Sequence, residues 1–432
     1  MSNKRSNNAT SAALAALLRC ETQGAYVTLS SQSEAKALED ERDVRLAIAI
    51  AHGVIEQKIR LDYVLGGLLG RSSASLTPHT RNLLRIALYQ LMFMERPSHA
   101  AVNEAVDMGE HRGEKALLNA VLRRASSDRD ALFALPPRDK DELRYLSLAY
   151  AMPKDKVRVF AREFGIERTE SILAAYAKRP HFCLRINPLK TTRETLLDRF
   201  RNAGIDAIPS PITPDGIRVK SVANPTLLPG FDQGFFFVQD ESSQLALRAL
   251  APSSDGRLLD TCAGLGGKTF SAASLMEGRG EIFASDLHEG KIGVLREQAD
   301  HLGFENINFY CHDASLPFPS EWGSFDYIIC DVPCSGLGVI RRKPDLRHRP
   351  LDGQDELIAL QKAILRCASE KLKAGGRLLY STCTVTHEEN RGNVDDFLIS
   401  HPDFSLKEDR LLLPDTDGCD GFYFAVLQKN PT

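Results

Sequence analysis

Two cysteines stand where a nucleophile could act. Cys334 closes the run Asp331-Val-Pro-Cys334-Ser-Gly-Leu-Gly338, and Cys383 closes Tyr380-Ser-Thr-Cys383-Thr. Each follows an apolar, β-branched-rich stretch, Phe325–Asp331 and Arg377–Cys383, that reads as a strand. Cysteine is among the most buried residue types and is usually inert. That reading is applied to Cys20, Cys183, Cys311, Cys330, Cys367 and Cys419. Two thiols at neighbouring strand ends, beside a Pro turn and an Asp, point instead to covalent catalysis by a thiolate.

A third strand end carries a glycine-rich turn. Arg257–Asp260 leads into Cys262, Ala263, Gly264, Leu265, Gly266, Gly267 and Lys268, where a helix begins. Glycines let a backbone approach a ligand, and the helix offers free N–H groups. Gly267-Lys268-Thr269 hints at a P-loop, but the glycine required five positions earlier is Cys262, so triphosphate hydrolysis is excluded. Glu281–Asp286 ends in a carboxylate about 20 residues beyond the loop, the place for ribose hydroxyls. Asn306–Asp313 ends in another, Asp313, placed to meet an adenine edge. Three acid-tipped strands in sequence favour an adenosine-containing cofactor.

These strands alternate with helical stretches at Lys268–Met276, Gly290–Leu302 and Glu356–Leu372. Such an order predicts right-handed crossovers and a mostly parallel sheet covered by helices, with ligands at the carboxyl ends of its strands. The rest of the chain differs in texture. Residues 1–137 are expected to form a helical bundle. Its clearest helix is Arg81–Met94, with Leu84, Leu88, Leu91 and Met92 on one face and Arg81 and Arg85 on another. Ser11–Leu18, Val44–Leu69, Ala100–Met108 and Lys115–Ala125 behave similarly. Residues 138–235 read as a small α/β connector, with helices at Leu143–Tyr150 and Lys156–Phe164, a strand at Phe182–Asn187, and a proline-broken loop-rich segment. Residues 236–432 form the α/β domain.

Composition bounds the function. Of 432 residues 43% are hydrophobic and 26% charged, which argues for folded domains. A net charge of −3 excludes a chain held on nucleic acid by charge alone, though not a local basic patch. No apolar run approaches the roughly 18 residues needed to span a bilayer, and the polar start lacks a good signal core, so a cytoplasmic protein without membrane attachment is expected. Nine scattered cysteines then read as free thiols. Without a CxxC pair no metal site is expected.

At this point the residues resemble the RNA cytosine-C5 methyltransferases of the Sun/Fmu (RsmB) group. The Pro-Cys of Asp331–Cys334 looks like the family's fourth motif. Thr382-Cys383 looks like its sixth, continued by His387-Glu388-Glu389-Asn390. Pro229–Asp240 resembles the lead-in to the catalytic domain. Ala100–Val106 and Leu117–Arg124 resemble the NusB fold that this subgroup carries. The resemblance covers nearly the whole chain. It implies a NusB-like bundle, a connector, and a Rossmann-like class I methyltransferase domain. One departure stands in the first motif, where Gly264 and Leu265 replace the usual Ala and Pro. Pro presets φ and Gly loosens it, so a looser turn and weaker cofactor affinity are expected there, with binding retained.

By motif match Cys383 is the nucleophile. Cys334 resembles the second thiol, which helps break the covalent adduct. Asp331 is implied to hydrogen-bond the N3 or amino edge of the base. In a DNA-type enzyme the Pro-Cys residue would be the nucleophile, and the Thr-Cys motif argues against that exchange. The implied cofactor is S-adenosyl-L-methionine. Asp286 would meet its ribose, Asp313 its adenine, and Lys268 with the Cys262–Gly267 backbone its amino-acid end, and Asp331 is also expected among the cofactor-binding residues. The implied substrate is RNA, 16S rRNA first, with the base flipped or unpaired. Arg341-Arg-Lys343-Pro-Asp-Leu-Arg347-His-Arg349, just beyond Cys334, is expected to meet phosphates. Lys178, Arg179 and Arg185 are weaker candidates, and Tyr380 and Phe235–Phe237 could stack on bases but are more often core. A tRNA cytosine-C5 methyltransferase and a non-catalytic NusB-like antitermination protein remain alternatives.

Overall fold

The computed structural model describes residues 8–431 apart from 95, 221 and 223. The chain divides into two compact units, Met1–Ala177 with Arg342–Arg349, and Lys178–Arg341 with Pro350–Thr432.

The first unit is helical: α1 (Ala9–Gln23), α2 (Val27–Ala35), α3 (Glu41–Glu56), α4 (Lys58–Leu69), α5 (Pro78–Phe93), α6 (Ser98–Asp107), α7 (Arg112–Ser127), α8 (Glu142–Ala149), α9 (Lys154–Phe164) and α10 (Ile166–Tyr176). The helix boundaries follow capping chemistry. Asn8 and Ser11 form a reciprocal capping box at the start of α1, and Gly24 ends it with φ 67°. Thr77 caps α5 with Pro78 as its first residue. The expected run Val44–Leu69 is two helices, because Gln57 leaves helical geometry at ψ 7° and serves both ends. The Ser-rich α2 escaped sequence reading. Its residues are weak helix formers, and burial of Val27, Ser30, Ser31 and Ala35 holds it. The arginine face of α5 turns into an internal ion-pair network. Arg85 makes two hydrogen bonds to Asp62 at 2.8 Å, and Glu21 lies beside both Arg81 and Arg85.

The second unit opens with β1 (Phe182–Ile186), α11 (Arg193–Asn202), β2 (Ala207–Pro209), β3 (Gly216–Val219) and β4 (Phe236–Val238). These strands form an antiparallel sheet in the order β2-β3-β1-β4, packed through Leu184, Ile186, Leu196, Phe200, Ile217 and Phe236. There follow α12 (Glu241–Leu250), β5 (Arg257–Asp260), α13 (Gly267–Leu275), β6 (Glu281–Asp286), α14 (Glu289–Leu302), β7 (Ile307–Cys311) and β8 (Phe325–Asp331). The short α15 (Asp345–His348) lies in the segment that belongs to the first unit. The chain closes with α16 (Gln354–Ser369), β9 (Leu372–Thr382), α17 (Arg391–Ser400), β10 (Phe404–Leu412) and β11 (Phe422–Lys429).

The large sheet has the order β10-β11-β9-β8-β5-β6-β7. β5 to β9 run parallel, and β11 and β10 are added antiparallel. The mostly parallel α/β sheet expected from the alternating pattern is therefore present. The order reverses between β5 and β8, where parallel sheets open a crevice at their carboxyl ends. Among the described residues no helix is long and apolar enough to cross a membrane.

Asn187 joins the small sheet to the large domain. Its fully buried amide donates to the Gly234 carbonyl at 3.1 Å and to the Leu302 carbonyl, at the end of α14, at 2.9 Å. Asn187→Ala strips both buried acceptors of their donor. A loss of about 1–3 kcal/mol per orphaned group is expected, read as a lower thermal unfolding midpoint of the full chain.

Candidate functional site

The reversal point collects the residues that chemistry would need. β8 and β9 are adjacent and parallel, with Asp331 opposite Ser381 in the ladder. The chain therefore leaves both strands side by side. It places the half-buried sulfurs of Cys334 and Cys383 3.2 Å apart. The Cys383 backbone N–H also points at the Cys334 sulfur, at 3.3 Å. The close sulfur of Cys383, then burial and the nearby Glu389 carboxylate, push the Cys334 thiol well above its usual range. Across that contact either sulfur is placed to donate to the other.

The loop after Cys334 is stitched to the loop after β9. Gly338 N–H donates to the Cys383 carbonyl at 2.9 Å, and the Gly338 carbonyl accepts from Gly421 N–H at 2.9 Å. A β-carbon at Gly338 would lie 1.9 Å from the Gly421 carbonyl oxygen, so only glycine permits the approach. Glu389, fully buried, accepts from Ser335 N–H at 2.9 Å, the Ser335 hydroxyl, Thr386 Oγ1 at 3.0 Å and Gln361 Nε2 at 2.9 Å.

Asp331 and Lys268 meet directly. The Lys268 ammonium lies 2.7 Å from Asp331 Oδ2, while Ser381 Oγ donates to Asp331 Oδ1 at 2.8 Å. The same ammonium sits over the Phe422 ring, 4.9 Å from its centre. Beneath them Asp260 accepts from Thr269 Oγ1 at 2.7 Å. Burial, with the Asp331 carboxylate adding, pushes the Asp260 carboxyl up to about 7.

The turn from Cys262 to Gly267 is ordered by backbone bonds. Ala263 N–H donates to the Ser285 carbonyl at 2.8 Å, and Gly264 N–H to Asp286 Oδ2 at 3.0 Å. Gly264 and Gly266 take φ of 59° and 88°, and a β-carbon on Gly266 would strike Leu295 and Phe270 at 2.4 Å. Asp286 Oδ1 accepts from His288 N–H at 3.0 Å and faces Lys291 at 3.1 Å. Leu265 and Leu287 lie exposed. Asp313, two residues beyond β7, closes a local turn with Ser315, whose hydrogen bonds hold its carboxyl below the usual range. Glycine backbone, the start of α13, and acids at the ends of β6 and β7 together suit an adenosine-bearing ligand with an amino-acid tail.

Several expected RNA contacts fall away. Arg347 is buried and donates to the Glu56 and Tyr176 carbonyls, His348 meets the Ile55 carbonyl at 2.7 Å, and Arg349 meets the Tyr26 hydroxyl. All are contacts within the helical unit. Arg341 is paired with Asp420. Only Lys343 of the five cations singled out is exposed without such a partner among those contacts, so the segment is mainly a structural insertion. Arg185 is fully buried against Asp215, and Tyr380, Phe236 and Phe237 lie in the core. Sequence reading had not assigned roles to Glu389, Gln361, Ser381 or Asp260. Glu389 stood within the quoted His387–Asn390 run, and Asp260 was read only as a strand end.

Residues 247–428 match the sequence model of the 16S rRNA methyltransferase RsmB/F family. Residues 7–127 match the NusB family, and 153–224 a ferredoxin-like domain of RsmF/B-like methyltransferases. The probable ribosomal RNA small subunit methyltransferase B of Bacillus subtilis is 34% identical, over 96% of this chain and 98% of that protein. The chain belongs to the ribosomal RNA small subunit methyltransferase B family. Its Vibrio cholerae member is also 34% identical, over 90% of both chains. The crystal structure of PH0851 has 26% identity and a TM-score of 0.82 over 98% of this chain and 99% of that one. The family is one of S-adenosylmethionine-dependent methyltransferases, as the resemblance of the thiol motifs and the bundle implied.

The buried Asp260 makes a pH prediction for this family member. The unfolded chain releases that proton at about pH 4, whereas the folded chain keeps it up to about pH 7. The folded form binds the extra proton between the two, so stability falls as pH rises through this window. Asp260→Asn is expected to flatten that slope, seen as a smaller change in thermal midpoint than the wild type shows between about pH 4 and about pH 7.

Proposed function

We propose that this protein methylates C5 of a cytosine in 16S rRNA, using Cys383 as the nucleophile. The observation that carries the reading is the pair of sulfurs 3.2 Å apart at the ends of adjacent parallel strands. C5 of cytosine is a poor carbon nucleophile. Addition of the Cys383 thiolate to C6 moves ring electrons toward C5, dividing one hard step into easier ones. Asp331, braced by Lys268 and Ser381, takes the N3 or amino edge of the base. S-adenosylmethionine, when bound, supplies the methyl group as a sulfonium, and Lys268, the Cys262–Gly267 backbone, Asp286 and Asp313 are the residues that would hold it. The C5 proton then passes to solvent water, and its bonding electrons restore the C5–C6 double bond as the S–C6 bond breaks. Cys334, held protonated, donates to the departing Cys383 sulfur.

The same reading keeps three parts, with 1–137 and 138–235 docking RNA and 236–432 performing chemistry in the cytoplasm. A base reaching two thiols must leave its stack, so a loop or an incompletely assembled RNA is the form bound. A purely RNA-binding role leaves the paired thiols without a purpose.

Cys383→Ala is expected to abolish methylation while leaving S-adenosylhomocysteine binding intact. Cys334→Ala is expected to accumulate a covalent protein–RNA species on a denaturing gel. Bisulfite sequencing of RNA from a deletion strain should show the lost 5-methylcytosine in 16S rRNA; a loss confined to tRNA would select the alternative substrate. Full activity in Cys383→Ala would overturn the assignment.

A further inference from the structure

The two thiols are not held in the same way. Cys383 continues β9, whose Thr382 is paired with Tyr423 of β11, and the Thr382 hydroxyl is anchored on Asn390. Cys334 lies three residues beyond the end of β8, in a loop without a ladder partner of its own. Its two neighbours in the chain are held by side chains, Pro333 from Gln361 and Ser335 from Glu389, with the Ser335 hydroxyl also meeting Thr384 Oγ1 at 2.7 Å. Gln361 Nε2 donates to the Pro333 carbonyl at 2.9 Å, and Glu389 accepts from Ser335 N–H at 2.9 Å. Gln361 in turn donates to Glu389 at 2.9 Å, and Asn393 donates to Gln361 Oε1 at 2.8 Å.

Glu389 is the group that touches both thiol loops. One carboxylate oxygen takes Ser335 N–H and Gln361, and the other takes the hydroxyls of Ser335 and Thr386. Every one of these donors is neutral. A fully buried carboxylate among neutral donors is costly to desolvate, and hydrogen bonds at both oxygens are what offset that cost. The contacts converge on the residue after Cys334 rather than on the large hydrophobic cores.

Resting on the two-thiol reading above, we propose that Glu389 is a positioning residue for adduct release, holding Cys334 against Cys383 so that the S–C6 bond can break. Cys383 keeps its place through β9 without Glu389, so adduct formation survives its loss. Cys334 loses the two bonds that tie Ser335 to Glu389 and is held less firmly, so resolution slows. The step balances as follows: the C5–H and S–C6 bonds break, the C5–C6 double bond forms, the C5 proton passes to solvent water, the Cys334 proton passes to the Cys383 sulfur, and Cys334 regains its proton from solvent. The positioning contacts do not need the charge, and the close Cys383 sulfur and burial, the larger causes of the raised Cys334 thiol, remain when the carboxylate becomes an amide. In Glu389→Gln the amide oxygen still accepts from Ser335 N–H and Gln361, and the amide nitrogen can donate to the two hydroxyls. Glu389→Asp keeps the carboxylate but withdraws it by one methylene.

The test uses the full-length protein with S-adenosylmethionine and 16S rRNA transcribed in vitro, read as covalent protein–RNA species on a denaturing gel beside methyl incorporation. Glu389→Asp and Glu389→Ala should accumulate adduct several-fold above wild type and turn over correspondingly more slowly. Glu389→Gln should stay near wild type, and adding Cys383→Ala to either of the first two should remove the adduct. Retained S-adenosylhomocysteine binding by calorimetry shows that the domain is folded. Slower methylation without adduct in Glu389→Asp and Glu389→Ala, while Cys334→Ala does accumulate it, overturns the proposal and spares the two-thiol reading. Loss of S-adenosylhomocysteine binding in both variants also overturns it, since the residue then holds the domain as a whole. Absence of adduct in Cys334→Ala itself removes the two-thiol reading and the proposal with it.

Discussion

The contact between two sulfur atoms sets what the rest of the α/β domain must do. Cys334 and Cys383 lie 49 residues apart in the chain, yet their sulfurs are 3.2 Å apart. Neighbouring parallel strands run about 4.8 Å apart, so residues leaving the same end of β8 and β9 are brought together by the ladder itself. The register does the rest. Asp331 faces Ser381, so Cys334 leaves three residues beyond one partner and Cys383 two residues beyond the other. A slip by one residue would turn each side chain to the opposite face of the sheet and part the thiols. The hydrogen bond from Gly338 to the Cys383 carbonyl pins the two exits at a second point.

Electrostatics around that contact are arranged in layers. Three acids, Asp260, Asp331 and Asp286, stand at the ends of β5, β8 and β6; Lys268 is paired with Asp331 and Lys291 with Asp286. Asp331 is braced from two sides, by Lys268 and by Ser381, which fixes the direction of its carboxylate. Asp260, fully buried, is pushed upward chiefly by desolvation, although Lys268 lies close enough to oppose the shift. The carboxyl behind the cleft, pushed up to about 7, thus carries less charge against Asp331 than an exposed acid would. Beside Cys383 stands a thiol, Cys334, that the neighbouring sulfur and burial push well above its usual range.

How much of this was legible depended on where the physical signal lies. β5, β6 and β8 begin and end where the sequence pattern placed them, because a buried parallel strand is a short apolar run with a polar residue at its exit. β10 escaped because its middle is charged, Lys407 to Arg410, as befits the outer strand of a sheet. β11 is apolar almost throughout, yet it runs antiparallel after a long loop and breaks the alternation that had been followed. The basic run Arg341–Arg349 misled for a different reason. Charge read along a sequence implies a solvated face or an anion, but Arg347 finds its partners in backbone carbonyls of the helical unit, and Arg341 in Asp420. Those partners are more than 70 residues away along the chain, and no local pattern announces them. Glu389 is a similar case. Its importance lies in four donors supplied by three separate segments, which spacing alone does not reveal.

The departure at Gly264 and Leu265 shows why a local substitution has to be judged against its surroundings. Proline at a turn restricts φ in advance, and Leu265 lacks that restriction, while Gly264 in place of alanine adds freedom to the unfolded chain. In the folded chain the restriction is supplied by other means. Gly264 sits at φ 59°, a left-handed conformation in which a β-carbon would be strained, so glycine suits the backbone that the turn adopts. Its N–H is fixed on Asp286, the preceding N–H on the Ser285 carbonyl, and Gly266 N–H on the Ala263 carbonyl at 2.8 Å. Each anchor belongs to β6 or to the turn itself, so the loop is ordered by the strand that carries the next functional acid. The entropic disadvantage of glycine therefore falls on folding, where the whole domain shares it, rather than on cofactor binding alone. Leu265, exposed at the tip, takes no part in those bonds and is left with an apolar surface facing outward beside the glycines.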